Sequence, residues 1–250
     1  SPVTFTGLTG GEHRFEVRAS DEAGNVSEIA AFEWEVDLTA PVVTITSAPD
    51  PHTNATTAQI AFTIDDEEAS AECRLDSTDD LDWEDCASPF EASGLSDGDH
   101  LLEVRATDTF GNVGAAAGHE WNVDTDAPEV SIDSAPAAVS NSIHAEFTFT
   151  ADEPDTTAEC RLDPADEEAA WVACISPVSY SNLEDGQHRF EVRVTDQAGN
   201  LGPAVAHDWE VSTVKPIASI ISGPDDPTDQ TTAGFELESD NVNATFECRL

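Results

Sequence analysis

Positive charge is what this chain has least of. Nine Lys and Arg stand against 52 Asp and Glu in 250 residues, a formal charge of −43. That balance argues against nucleic acid or an anionic membrane surface as a partner, since both are held by cationic contacts. Long apolar runs are also missing, so no segment is expected to insert into a bilayer. Helical periodicity is absent, which sets aside a parallel α/β arrangement. No Ser or Cys nucleophile stands with a His and an Asp in a way the chain repeats, so no enzyme is expected. No second Cys pair or His pair stands at zinc-ligand spacing either. The acidity runs through regular apolar alternation rather than forming a tail, which argues against disorder. A halophilic or marine surface, a calcium-loaded protein, or simple solubility for a long fibre would each account for it.

What the chain does have is repetition. The stretch His100 to Asn112 has versions at His13 to Asn25 and His188 to Asn200. In each, apolar residues (Leu102, Val104 and Ala106 in the middle copy) alternate with Glu and Arg, the period-two pattern of a strand with one buried face. Each copy ends on Asp-x-x-Gly-Asn, where the glycine closes a tight hairpin loop and the Asp and Asn bond local backbone. Cys73, Cys160 and Cys248 are spaced 87 and 88 residues apart, as are Trp34, Trp121 and Trp209. A unit of that length suits one small sandwich core. The pattern divides the chain into the latter part of a repeat (1–38), two complete repeats (39–125 and 126–213) and the first part of another (214–250). The chain therefore reads as a window on a longer array, in which the absence of a signal peptide is uninformative.

Within the second repeat, 41–47, 57–65, 71–76, 89–95, the organising strand from 100, and 115–123 read as strands. Turn signals fall roughly every ten residues. About seven short strands per repeat predict an all-β chain of tandem immunoglobulin-like antiparallel β-sandwiches, strung like beads. Cys73 with Cys86 and Cys160 with Cys174 are candidate disulfides, each worth about 3 kcal/mol in the chain-entropy picture, and they point to an oxidising, extracellular compartment. Reduced core cysteines in a cytosolic protein are the alternative.

Several motifs together, Cys-Arg-Leu-Asp at 73–76, Trp-x-x-Cys-x-Ser-Pro at 83–89, Asp-Gly-x-His at 97–100, Asp-x-x-Gly-Asn at 108–112 and Val-Asp-x-x-Ala-Pro at 123–128, resemble the tandem bacterial immunoglobulin-like repeats of very large surface proteins and adhesins. The resemblance covers the whole chain. It implies stalk or adhesion modules at the cell surface, arranged head to tail, sometimes rigidified by calcium at their junctions.

In such a sandwich the loop after the second strand, the hairpin after the organising strand and the entering linker share one end. That pole gathers Asp37, Asp65, Asp66, Glu67, Asp108 and Asn112 in one repeat, and Asp124, Asp126, Asp152, Glu153, Asp196 and Asn200 in the next. Hard oxygen ligands on flexible loops are what calcium takes. Turn-shaping and plain solvation are the other reading of the same residues. The third linker has Ser212 where the others have Asp37 and Asp124, and it holds the single lysine, Lys215. There the ammonium is expected to replace the metal, near Asp240.

Arg74, Arg161 and Arg249, with Arg18, Arg105 and Arg193, should point outward on two neighbouring strands beside Glu72, Glu103, Glu159 and Glu191. That predicts a cross-strand charge ladder, with lateral association of chains as its functional alternative. His13, His100 and His188 precede the organising strand and His119 and His207 precede the return-strand tryptophan; all read as bonded structural residues. The two Trp of each full repeat are assigned to the core beside the disulfide, with a sugar-binding platform as the minor alternative. Asn25, Asn54 and Asn243 stand in glycosylation acceptor patterns. The functional expectation is an extracellular spacer whose partners are neighbouring repeats of the same chain. The alternatives are adhesin repeats gripping carbohydrate or a host protein, or a subunit of a self-assembling fibre of many copies.

Overall fold

A computed structural model describes residues 2–166 and 168–250, and the described residues form twenty strands and no helix. β1 (Gly11–Val17) and β2 (Ala30–Val36) make an antiparallel hairpin with Gly11 opposite Val36. The next eight strands are β3 (Val43–Ser47), β4 (His52–Thr53), β5 (Thr57–Ile64), β6 (Ser70–Leu75), β7 (Glu84–Cys86), β8 (Phe90–Ser93), β9 (Gly98–Thr107) and β10 (Ala117–Val123). They build a three-stranded sheet, β3-β5-β8, and a five-stranded sheet, β4-β10-β9-β6-β7.

The pattern then recurs. β11 (Val130–Ser134), β12 (Val139–Ser140), β13 (His144–Ala151), β14 (Thr157–Leu162), β15 (Val172–Cys174), β16 (Val178–Ser181), β17 (Gly186–Thr195) and β18 (Val205–Val211) give sheets β11-β13-β16 and β12-β18-β17-β14-β15. β19 (Ala218–Ser222) and β20 (Glu236–Ser239) pair at the end of the chain. By contacts the chain divides into two compact units. The first is 1–126 with 197–200, and the second is 127–196 with 201–250.

Alternation places each core. Along β9 the residues at 100, 102, 104 and 106 are buried and those between them are half-exposed. Ile60, Phe62, Cys73, Leu102, Val104, Trp121 and Val123 form one apolar cluster shared by the two sheets. Phe147, Phe149, Cys160, Phe190, Val192, Trp209 and Val211 form its counterpart. In the second cluster the rings of Phe147 and Phe190 stack at 4.0 Å, with Trp209 edge-on to Phe147 at 5.3 Å. Each full burial of such a side chain is worth about 1.5–3 kcal/mol, so two separate cores of this size each hold a module together.

The sulfur bridges join Cys73 to Cys86 and Cys160 to Cys174 within the five-stranded sheets, β6 to β7 and β14 to β15. The Ser-Pro that follows each second cysteine has a role as well. The hydroxyl of Ser88 accepts the Phe62 amide at 2.8 Å, and that of Ser176 accepts the Phe149 amide at 3.0 Å. Cys248 is an exposed free thiol.

Candidate functional site

Most of the acidic residues singled out at this pole are engaged by nearby backbone amides. Asp65 extends the β3–β5 ladder by one step, its amide donating to the Val42 carbonyl while its Oδ1 accepts the Val42 amide at 2.7 Å. Asp152 does the same with Glu129, and Asp240 with Ile217. Asp37 accepts the Thr39 amide at 2.8 Å and Asp66 the Glu68 amide at 2.9 Å, both local turn closures. Glu67 is exposed, and Glu153 and Asp196 are half-buried.

Asp108 is the most enclosed of the group, 8% exposed. Its Oδ1 accepts the amides of Phe110 and Asn112 at 2.9 and 2.8 Å, and its Oδ2 accepts Nδ2 of Asn112 at 2.7 Å. Burial raises its pKa, but the hydrogen bonds from Asn112, Phe110 and Gly111 outweigh it and hold the carboxyl below the ordinary range. The Asn112 amide also donates to the Asp37 carbonyl at 3.2 Å, tying hairpin to entering linker. Asn200 donates to the Asp124 carbonyl at 2.8 Å inside the first unit.

One set of three carboxylates in the first unit includes a residue whose sequence context marks it only as a turn former. Asp97, Asp124 and Asp126 each offer one oxygen within 4.8 Å of the others. At the corresponding place in the second unit stand Asp185, Ser212 and Val214. Lys215 makes no ion pair among the described residues, and Oδ1 of Asp240 is taken by the Ile217 amide at 2.8 Å. The ammonium therefore does not occupy the place expected of it near Asp240.

The outer face of each five-stranded sheet carries the predicted ladder. Arg74 pairs with Glu103 at 2.6 Å and Arg105 with Glu72 at 2.9 Å, between directly opposed residues of β6 and β9. Arg193 pairs with Glu159 at 2.7 Å and Arg161 with Glu191 across β14 and β17. The assignment of Trp83 and Trp171 to the core needs correction. Two guanidinium groups lie over the Trp83 ring, Arg74 at 4.6 Å and Arg105 at 4.2 Å, and Arg161 and Arg193 lie over the Trp171 ring, each at 4.3 Å. Of the four tryptophans in the two complete repeats, Trp121 and Trp209 are the core residues. The Trp83 Nε1 finds no hydrogen-bond partner among the described residues, so stacking rather than polar contact holds the ring. Arg74 also donates to the Asp79 carbonyl at 3.3 Å and Arg161 to the Ala169 carbonyl at 3.2 Å. The stack thus fastens the loop between the two cysteines onto the sheet.

The histidines are bonded, as expected. Nε2 of His119 faces the Pro49 carbonyl at 3.0 Å and Nε2 of His207 the Pro136 carbonyl at 2.9 Å, each ring stacked on the core tryptophan beside it. His100 and His188 stack on the same indoles at 5.6 and 5.2 Å.

No family model and no curated protein matches the sequence. Among solved structures the chain is similar to fibronectin(III)-like modules of Clostridium thermocellum CbhA. The identity is 16%, 68% of this chain and 94% of that one are covered, and the TM-score is 0.42. It is similar also to the FN1–FN3 domains of chicken CNTN1, at 15% identity over 79% and 77% of the two chains with a TM-score of 0.39. A tetra-tandem repeat in the extending region of a large adhesion protein matches at 21% identity over 86% and 61%, with a TM-score of 0.32.

Proposed function

We propose that this chain is a run of structural modules from an extracellular stalk or surface filament, acting as a spacer that sets reach. The observation that carries this reading is that 43–123 and 130–211 each supply a complete apolar core and a sulfur bridge of their own. A module that needs only its own residues can be repeated without changing how it folds, which is what a structure of adjustable length requires. The disulfides support an oxidising compartment. His100 and His188 each have both ring nitrogens engaged, which suits a structural role better than that of a catalytic base.

Calcium is proposed at Asp97, Asp124 and Asp126, whose oxygens match its preference for hard, flexible ligands. Bound there, it would neutralise a local excess of negative charge at the exit of the first complete repeat. Ser212 and Val214 leave the second complete repeat, 126–213, without that set.

Small-angle scattering on segments of one, two and three repeats tests the spacer reading. The largest dimension should grow by equal increments, and calcium should stiffen the junction that contains Asp124. Two repeats no longer than one would overturn the reading, as would an isolated repeat that captures carbohydrate or a host protein, the behaviour of a gripping adhesin.

A further inference from the structure

His100 and His188 begin the same strand in the two complete modules, and each ring faces an acceptor at both nitrogens. Nδ1 of His100 lies 2.7 Å from Oδ2 of Asp76, and its Nε2 lies 2.7 Å from the Ser96 carbonyl oxygen. For His188 the partners are Oδ2 of Asp163 at 2.7 Å and the Glu184 carbonyl at 2.8 Å. A neutral imidazole has one N–H, so one of its lone pairs would point at an acceptor. Only the imidazolium donates at both positions.

The carboxylates are held in place. Oδ1 of Asp76 accepts the Leu101 amide at 2.9 Å and Oδ1 of Asp163 accepts the Arg189 amide at 2.8 Å. Each aspartate amide donates in turn to the carbonyl of that same residue.

Other charges surround the rings. Asp99 acts on His100, while His52 and Glu120 line the open pocket beside it and His119 lies across the Trp121 indole. Glu184 acts on His188, with Arg189 next in the strand and His207 across Trp209. Burial is the largest single influence and disfavours the charged rings. The aspartate hydrogen bonds, the carbonyls and the nearby negative charges outweigh it and lift both pKa values above the ordinary imidazole value.

The carbonyls that hold the rings belong to residues directly preceding two aspartates that hold the module exits. Oδ1 of Asp97 accepts both the amide and the hydroxyl of Thr125, at 3.1 and 2.9 Å. Oδ1 of Asp185 accepts the amide and the hydroxyl of Thr213, at 3.0 and 2.8 Å. Ring to carbonyl and carboxylate to linker are therefore two links in series through adjacent residues of one turn. The first 38 residues hold a natural contrast. His13 reaches the Thr9 carbonyl at 2.6 Å, but Gly10 stands where Asp97 does and Leu38 where Thr125 does, so the second link has no side chains to make it.

We propose that protonated His100 and His188 tighten the exit linkers of their modules through Ser96–Asp97–Thr125 and Glu184–Asp185–Thr213, and that deprotonation loosens them. Such a device makes linker stiffness respond to pH while the sandwich cores stay folded. It stands whether or not the modules serve as spacers.

Amide hydrogen exchange on the 250-residue chain, with the intrinsic pH dependence divided out, tests the device alongside the imidazole titrations read by NMR. Protection of the Thr125 and Thr213 amides should be lost progressively on the alkaline side, as the raised ring pKa values are passed. Its midpoint should coincide with that of the ring in the same module. The Val42 and Glu129 amides, bonded to Asp65 and Asp152 without a histidine, should keep their protection. In His100→Gln, Thr125 should be weakly protected at every pH while Thr213 keeps its own transition. If that variant does not fold, the titration of the unaltered chain decides. Unchanged protection at Thr125 and Thr213 while the rings titrate overturns the proposal, and so do rings that do not titrate above the ordinary imidazole value.

Discussion

Asp76 and His100 meet across 24 residues of sequence, Oδ2 to Nδ1 at 2.7 Å, with Asp76 held in a left-handed conformation at φ 54°. Asp163 and His188 repeat the contact at 2.7 Å, with φ 47° at Asp163. The Asp of Cys-Arg-Leu-Asp and the His of Asp-Gly-x-His are thus two halves of one clamp, joining the end of one strand to the start of another.

The clamp sets the sign of the pH dependence. A raised folded-state pKa means that the contribution of His100 and His188 is fully present below the ordinary imidazole value of about 6.5 and is lost as pH rises through the folded value. Asp108 acts at the other end. Its lowered pKa gives stability that is present above the ordinary carboxylate value and lost as acid titrates the folded group. Urea denaturation followed across pH should show greatest stability between these two losses. A midpoint that rises steadily into alkali would contradict the histidine assignment.

Trp171→Ala removes a ring that carries two guanidinium groups over it at 4.3 Å each. A destabilisation of about 1–2 kcal/mol is expected, the range for partly desolvated cation–π contacts. Trp171→Phe should recover part of it. Chemical denaturation measures both, and near-ultraviolet circular dichroism should show the buried Trp209 environment intact. Collapse of that core signal would place Trp171 in the core after all.

Gly114→Ala places a methyl carbon 2.0 Å from the Pro41 carbonyl oxygen, backbone that cannot move aside without shifting the linker. Overpacking of this kind costs about 1–3 kcal/mol. Gly118→Ala meets its nearest neighbour, the flexible end of Leu101, at 3.4 Å, and should be close to neutral. Equal thermal stability for the two variants would show that the approach at Gly114 does not constrain the module.

Calorimetric titration with calcium is expected to give heat that Asp124→Asn abolishes. Ser212→Asp alone should not create an equivalent site, because Val214 still replaces the third carboxylate. Heat unaffected by Asp124→Asn would remove the Asp97, Asp124, Asp126 set from consideration.

Much of this architecture is legible in the amino-acid order alone, because period-two alternation fixes both faces of a strand at once. Leu102, Val104 and Ala106 inward entail Glu103 and Arg105 outward, and β6 read the same way delivers Arg74 opposite Glu103. Trp83 escapes that logic. It sits outside the strands, in the excursion between two cysteines, where no alternation assigns a face and residue type alone favours the core. β4 and β12, two residues each, are too short to show any period. Gly114 is constrained by a carbonyl 73 positions earlier, a closeness that only the folded chain creates. At the acidic pole the residue types are visible in the sequence but their bonding is not. Asp65 and Asp108 are engaged by backbone amides, and one set of three neighbouring carboxylates draws in Asp97 from a turn.

Stretching single molecules of the chain from its two ends tests the central claim, that two stretches fold as separate modules each closed by its own sulfur bridge. Two distinct unfolding steps are predicted. Reduction should lengthen each by about 40 Å, since bridges of sequence separation 13 and 14 hide that many residues at about 3.5 Å apiece, less the 5.7 and 5.8 Å already spanned between the bridged Cα atoms. One merged step, or steps whose length ignores reductant, would contradict the account.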